Sequence, residues 1–335
     1  MRTPRTIGPA FRCAMAWVVA IASTATTVAD EVRVATFNVQ NYLCMDRRLD
    51  GRFAPGYPKP EAEKAAIRAV LHAVNADVVC LQEIGTQPFL DELQQDLARE
   101  GLDYPHAAHL PAADPMRHVA VLSRLPFRAV VRHDDIAFPY FEREEPVKRG
   151  LLEVQFASPA GLWRVFVVHL KSPLTEEAAD PGAEKRRAAE ARALRDRVIR
   201  ETGDGESLFV IAGDLNAAPN SRTLAGFTRR GERTIAIPLR AGDSRGETWT
   251  HRHLASERYE RVDYILVSPA LARGRVRGDR ATIHDGEGAL AGSDHRLVWV
   301  DLDLTAPLPP TDSTPSAETK TPAGAGPAGV SSVGR

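Results

Sequence analysis

The chain has 335 residues, of which 43% are hydrophobic and 26% charged, the balance of a globular protein able to bury a sizeable core. Its formal net charge of −1 counts against a protein that coats polyanions wholesale, while leaving room for a local basic groove.

The first elements to read lie in the leader. Residues 1–29 carry Arg2, Arg5 and Arg12 with no acid before Asp30, then an apolar run from Ala14 to Ala22, then small residues ending in Thr27, Val28 and Ala29. This is the three-part form of a secretory signal peptide cleaved after Ala29. The apolar run is shorter than the about 20 residues of a membrane span. The expectation is a secreted or periplasmic protein, monomeric, with no stable membrane anchor once the leader is removed. Cys13 leaves with the leader. Of the two remaining cysteines, Cys80 sits in an apolar run and reads as a buried thiol. A Cys44–Cys80 disulfide stays open as an alternative in an oxidising compartment.

From Val32 onward short β-rich runs alternate with helical patterns. A strand is expected over 32–39, then a helix after Pro60 with Ile67, Val70, Leu71 and Val74 at helical spacing. A second strand is expected over 77–84 and a second helix over 87–100, closed by Gly101. Strands follow over 118–124, 151–156 and 163–170, and a charged helix over 183–201 with Ala188, Ala191, Leu194 and Val198 on one face. The last strands are expected over 207–216, 261–268 and 295–304. Several strands are apolar at consecutive positions, so both of their faces are expected to be covered. The fold class read from this is α/β (α+β), a sandwich of two β-sheets packed face to face with helices outside, in one domain over 30–305. From Ala306 the chain is rich in Pro, Ser, Thr, Gly and Ala without an aromatic residue. Such a tail, 306–335, cannot bury enough apolar surface to order itself.

Polar residues recur where apolar strands end. Asn38 closes the first strand and Glu83 the second. His169 ends "VFVVHL", Asp214 and Asn216 end "FVIAGDLN", Asp263 opens "DYILV", and Asp294 and His295 precede the last strand. Residues two apart on a strand share a face, so Asp214 and Asn216 are expected to act at one cleft. Each residue alone also fits a turn, a cap or a packed core position. Their recurrence in one order is what points to a site.

The motifs "FNVQN", "LQEI", "VVHLKS", "GDLNAAP", "RVDYILV" and "GSDHRLV" together resemble the endonuclease/exonuclease/phosphatase family of DNase I-like phosphoesterases, over about residues 32–304. The resemblance implies a four-layer sandwich with two central mixed β-sheets. It implies Glu83 as the main ligand of a divalent metal, with Asn38 beside it and Asp294 near. Hard oxygen donors suit Mg²⁺, with Mn²⁺ or Ca²⁺ as alternatives, and no Cys/His spacing suits zinc. It implies His295 as the general base held by Asp263, His169 and Asn216 as donors to phosphoryl oxygens, and Asp214 as the group that orients the nucleophile or protonates the leaving oxygen. Arg149 is a weaker match, to a strand-edge arginine that binds phosphate.

The family fixes the bond and not the substrate. The expected function is hydrolysis of a phosphodiester, with nucleic acid as the first candidate substrate. A phosphomonoesterase or sphingomyelinase-like phospholipase is the alternative, and a non-catalytic binding module ranks last. Three segments are placed to set specificity: 43–60, with Arg47, Arg48, Arg52, Phe53 and Tyr57; 138–150, with aromatics and both charges; and 250–264, with His251, Arg252, His253, Arg258 and Arg261. None reads as a long apolar hairpin, so lipid ranks below nucleic acid.

Overall fold

The computed structural model describes residues 31–203 and 207–305. The expected leader and tail lie outside the described residues.

Thirteen strands build the two large sheets. The first comprises β1 (Glu31–Tyr42), β2 (Val78–Ile84), β3 (His106–Leu110), β4 (His118–Ser123), β10 (Arg240–Gly242), β12 (Arg280–Ile283) and β13 (Val298–Asp303), in the order β10-β12-β13-β1-β2-β4-β3. The second comprises β5 (Ala129–His133), β6 (Leu151–Ser158), β7 (Gly161–His169), β8 (Leu208–Asp214), β9 (Ile237–Pro238) and β11 (Asp263–Val267), in the order β9-β11-β8-β7-β6-β5. Both are mixed: β1 and β2 run parallel, as do β7 and β8, among antiparallel neighbours.

The alternation of side chains explains the layers. In β1 and β2, Val32, Val34, Val78 and Cys80 face the other sheet, where they meet Val165, Val167, Val210, Ala212, Ile265 and Val267. The intervening Ala35, Phe37, Val79 and Leu81 face outward, under α1 (Glu61–Val74) and α2 (Gln87–Arg99). On the second sheet Phe166, Val168, Ile211 and Leu266 face outward, under Ala191, Leu194 and Val198 of α3 (Glu184–Thr202). A strand covered on both sides must be apolar at every position, which is what the consecutive runs record.

The short strands β3, β5, β9, β10 and β12 were not expected from the sequence, and neither was α4 (Arg222–Thr228), whose cap Ser221 accepts a hydrogen bond from the Leu224 amide. The segments taken as specificity loops each fold into a two-stranded hairpin, over 45–57, 137–146 and 251–260. Cys44 is exposed and Cys80 buried, and both are free thiols. The disulfide alternative is therefore set aside. No described helix is long and apolar enough to cross a membrane.

Candidate active site

The site forms where strands of both sheets end together. On the second sheet His169, Asp214 and Asp263 are register neighbours across β7, β8 and β11. Alternation continues the inward face of each strand into a polar residue: Val165 and Val167 lead to His169, Val210 and Ala212 to Asp214, and Asp263 leads into Ile265 and Val267. All three are almost wholly buried.

The parallel pairing of β7 with β8 needs glycine beside Asp214. Gly213 has φ +152°, and a Cβ there would sit 1.9 Å from the Val168 carbonyl oxygen.

Asn38 reaches the cleft from the first sheet, again by alternation from Val32 and Val34. Its Nδ2 donates to Asp214 Oδ2 at 3.1 Å and to Glu83 Oε1 at 3.4 Å. Its Oδ1 accepts from the Gln40 amide at 3.0 Å. The carboxamide thus turns its donor side to two carboxylates and commits its oxygen to backbone.

Glu83 arrives by a different route. Alternation would send it outward with Leu81, under the helices. The β2–β4 pairing breaks between Gln82 and Ile84, and Glu83 itself has φ +61°. A non-glycine residue in that region costs about 1–3 kcal/mol and persists where the surroundings enforce it. Here the break returns the carboxylate to the cleft, where Oε2 accepts from the Asn41 amide at 2.9 Å and Oε1 lies 3.9 Å from His169 Nε2.

Asn216 was expected on a strand face shared with Asp214. Strand β8 ends at Asp214, and Asn216 follows in a turn with φ +48°. The two still meet: the Asn216 amide donates to Asp214 Oδ1 at 2.8 Å, and its Nδ2 donates to Asp214 Oδ2 and to the Leu170 carbonyl, both at 3.1 Å.

Asp294 and His295 precede β13. His295 Nδ1 lies 2.8 Å from Asp263 Oδ2, while Nε2 faces Asp214 Oδ2 at 4.0 Å and Asp294 Oδ1 at 3.8 Å. The ring is anchored from behind: the Thr250 hydroxyl oxygen accepts the Val262 and Asp263 amides, and the Ser293 hydroxyl donates to the Asn38 carbonyl at 2.7 Å. Arg149 is buried with Nη2 3.0 Å from Asp114 Oδ2, and its Nε and Nη1 have no hydrogen-bond partner among the described residues.

A histidine held by a buried carboxylate, a second carboxylate opposite it and a third across the gap between two mixed sheets point to one kind of enzyme, and residues 35–295 match the endonuclease/exonuclease/phosphatase family. The chain belongs to that family. It is a metal-dependent phosphoesterase with a DNase I-like fold. No curated protein matches it.

Similar solved structures include an endonuclease/exonuclease/phosphatase from Beutenbergia cavernae, at 22% identity over 83% of this chain and 72% of that one, with a TM-score of 0.56. Sphingomyelinase C from Streptomyces griseocarneus is similar at 17% identity over 82% and 100%, with a TM-score of 0.56. A mutant of beta toxin from Staphylococcus aureus with bound magnesium ions is similar at 16% identity over 81% and 99%, with a TM-score of 0.58. At these identities the likeness concerns the fold.

The electrostatics fit a divalent cation, as this family of phosphoesterases requires. Burial raises the Asp214 carboxyl above the ordinary carboxylate range, and the nearby Asp263 charge pushes the same way. Burial opposes a charge on His295, yet Asp263, Asp214 and Asp294 together raise its imidazole above the usual histidine range. Glu83 adds a fourth carboxylate across the cleft, beside His169, so negative charge is in excess and oxygen donors stand on both sides. His169 is held neutral, first by burial and then by the charges of Arg149, His295 and Arg117.

Two neighbours of the site were not singled out from the sequence. Arg117 stands 3.9 Å from Glu83 Oε2 and donates to Asn41 Oδ1 at 2.8 Å. Nothing in "DPMRHV" marks it. His251 was noted only as part of a basic segment. Its ring lies 4.5 Å from that of His295, centroid to centroid, and its Nε2 is 3.6 Å from Asp294 Oδ2.

Proposed function

We propose that the chain is an exported Mg²⁺-dependent phosphodiesterase that cleaves nucleic acid. The observation that carries hydrolysis is the His295–Asp263 pair, whose free Nε2 opens onto the cleft shared by Asp214 and Glu83. Glu83 is the ligand for the cation, its oxygens facing Asn38 and His169 from a strained position. When bound, a divalent cation polarises the phosphoryl oxygen and offsets the charge that develops on it.

The chain's own groups supply the rest. Asp263 accepts a hydrogen bond from Nδ1–H of His295, which leaves Nε2 to take a proton from water. Neutral His169 donates to a non-bridging oxygen, and the two unpartnered donors of Arg149 suit a second. Asp214, with its affinity for a proton raised, delivers one to the leaving oxygen. Asn38 and Asn216 hold that carboxylate in place, and both Nδ2 protons of Asn216 are spent on Leu170 and Asp214. This gives the two amides a positioning role in place of the ligand and donor roles that the family resemblance implies.

Support for nucleic acid comes from the hairpin over 45–57. It exposes Arg48, Arg52, Phe53 and Tyr57 together, charge for phosphate and rings for bases. Arg47 ties it to the cleft, donating to the carbonyls of Asn41 at 2.8 Å and Leu43 at 3.2 Å. A second reading, hydrolysis of a lipid head group, is favoured by exposed apolar residues on all three hairpins, Phe53, Phe141 and Leu254, and by the fold shared with sphingomyelinase C.

The deciding experiment incubates the full chain with supercoiled plasmid and, separately, with sphingomyelin vesicles, in Mg²⁺, in EDTA and as His295→Ala. Mg²⁺-dependent nicking lost in the variant is expected. Vesicle hydrolysis without nicking would transfer the reading to lipid, and neither activity from folded, Mg²⁺-binding protein would sink both.

A further inference from the structure

We propose that His251, Asp294 and His295 form a second metal site, selective for zinc-like transition ions, through which such an ion shuts the enzyme off. The regulatory half of this inference rests on the reading of His295 as the base; the binding half does not.

The donor atoms are already gathered. His251 Nε2 and Asp294 Oδ2 are 3.6 Å apart, Asp294 Oδ1 and His295 Nε2 are 3.8 Å apart, and the three ligand atoms lie within 4.8 Å of one another. Both separations exceed a good hydrogen bond. A tetrahedral ion with bonds of about 2.0–2.1 Å spaces its ligand atoms by about 3.4 Å, so small side-chain rotations would close the site.

The backbone fixes this arrangement. His251 and His295 are paired in an isolated antiparallel bridge, and the Arg252 amide donates to the Asp294 carbonyl at 2.9 Å. One ligand also has its partner behind it: His295 Nδ1 is held by Asp263 at 2.8 Å, which leaves Nε2 as the coordinating atom. A carboxylate behind a ligating histidine fixes the ring and raises its basicity. His251 and Asp294 are half-buried, so a water can reach the fourth position.

Two imidazoles and one carboxylate favour Zn²⁺, Co²⁺, Ni²⁺ or Cu²⁺ over Mg²⁺, which prefers oxygen. The site is therefore distinct in chemistry from the Glu83 side of the cleft. An ion bound here occupies the Nε2 lone pair of His295 and blocks proton transfer from water.

The test keeps binding apart from turnover. The full chain, in saturating Mg²⁺, is titrated with Co²⁺ while its visible absorption is recorded, and with Zn²⁺ by calorimetry. Expected is one ion per chain with the intense absorption of a tetrahedral nitrogen and oxygen site. His251→Ala should weaken Zn²⁺ binding at least tenfold and raise by a similar factor the Zn²⁺ concentration that halves each protein's own rate; His251→Gln replaces it if the alanine variant does not fold. His253, whose Nδ1 is 2.7 Å from the Ser256 hydroxyl, serves as control, and His253→Ala should bind as the parent does. Affinity unchanged within twofold in His251→Ala, or equally weakened in His253→Ala, overturns the site. Binding that depends on His251 without inhibition removes the regulatory half and counts against His295 as the base.

Discussion

At the scale of single residues the chemistry turns on how Asp263 sets His295. Burial alone would keep the imidazole neutral; the adjacent carboxylates reverse that and raise its proton affinity. The base works only when deprotonated, so the acid limb of kcat/KM should follow the raised value. Asp263→Asn removes the largest favourable interaction. The limb should move to lower pH while kcat falls by about 10²–10⁴, because the ring also loses the partner that fixes its tautomer. A pH–rate profile checks this, and an unmoved limb would free Asp263 from that role. The strand-end residues His169, Asp214 and Asp263 were legible in sequence because alternation carries an apolar strand face directly into them. Glu83 was legible as a polar strand end, but its role as a metal ligand came only through family resemblance. Its side chain faces the cleft because of a positive φ that no residue pattern announces, and simple alternation points it the wrong way.

Strands and helices were read from a different signal. The central strands were plain because burial on two faces demands unbroken apolar runs, as in β2 and β8. The edge strands were not. Strand β5 is only partly buried, β10 has three residues, and β12 opens with an exposed arginine, so no periodicity could rise above background. The hairpin that brings His251 to His295 is three residues a side and largely charged. Its register exists only through tertiary pairing. The most constrained contact between elements is that of β7 with β8 at Gly213. Gly213→Ala would drive a methyl into the Val168 carbonyl at 1.9 Å from a backbone conformation that disfavours side chains. A loss of more than about 3 kcal/mol is expected, since close overlap adds to backbone strain of about 1–3 kcal/mol. Urea unfolding measures it. A shift below about 0.5 kcal/mol would mean the strands part without cost and that the Asp214 rim is not rigid.

The whole molecule brings opposing demands together at the cleft. Packing of two apolar sheet faces places Asn38 and Glu83 from one sheet against His169, Asp214 and Asp263 from the other, joined by the Asn38–Asp214 hydrogen bond at 3.1 Å. The same packing forces carboxylates together away from water. Protons relieve this in the metal-free protein. Asp214 and His295 both hold protons more tightly folded than unfolded. The stability each contributes is complete below its unfolded pKa, about 3.9 and 6.5, and is lost as pH rises through the raised folded value, because the native state binds the extra protons there. Metal-free protein should therefore lose stability from about pH 4 to about 7 through Asp214 and from about 6.5 to about 10 through His295. A divalent cation does the protons' work without needing them, so Mg²⁺ should bind more tightly as pH rises. At a hundred times its Kd it stabilises the native state by about 2.7 kcal/mol, a Tm rise of roughly 4–5 °C for a chain of this size. Scanning calorimetry at pH 6 and 8.5, in Mg²⁺ and in EDTA, should show the larger rise at the higher pH. Glu83→Gln should lose most of it at both. A rise equal at the two pH values would mean that the cation and the protons do not share the Asp214–His295 cluster, and a rise retained in Glu83→Gln would move the cation away from the first sheet.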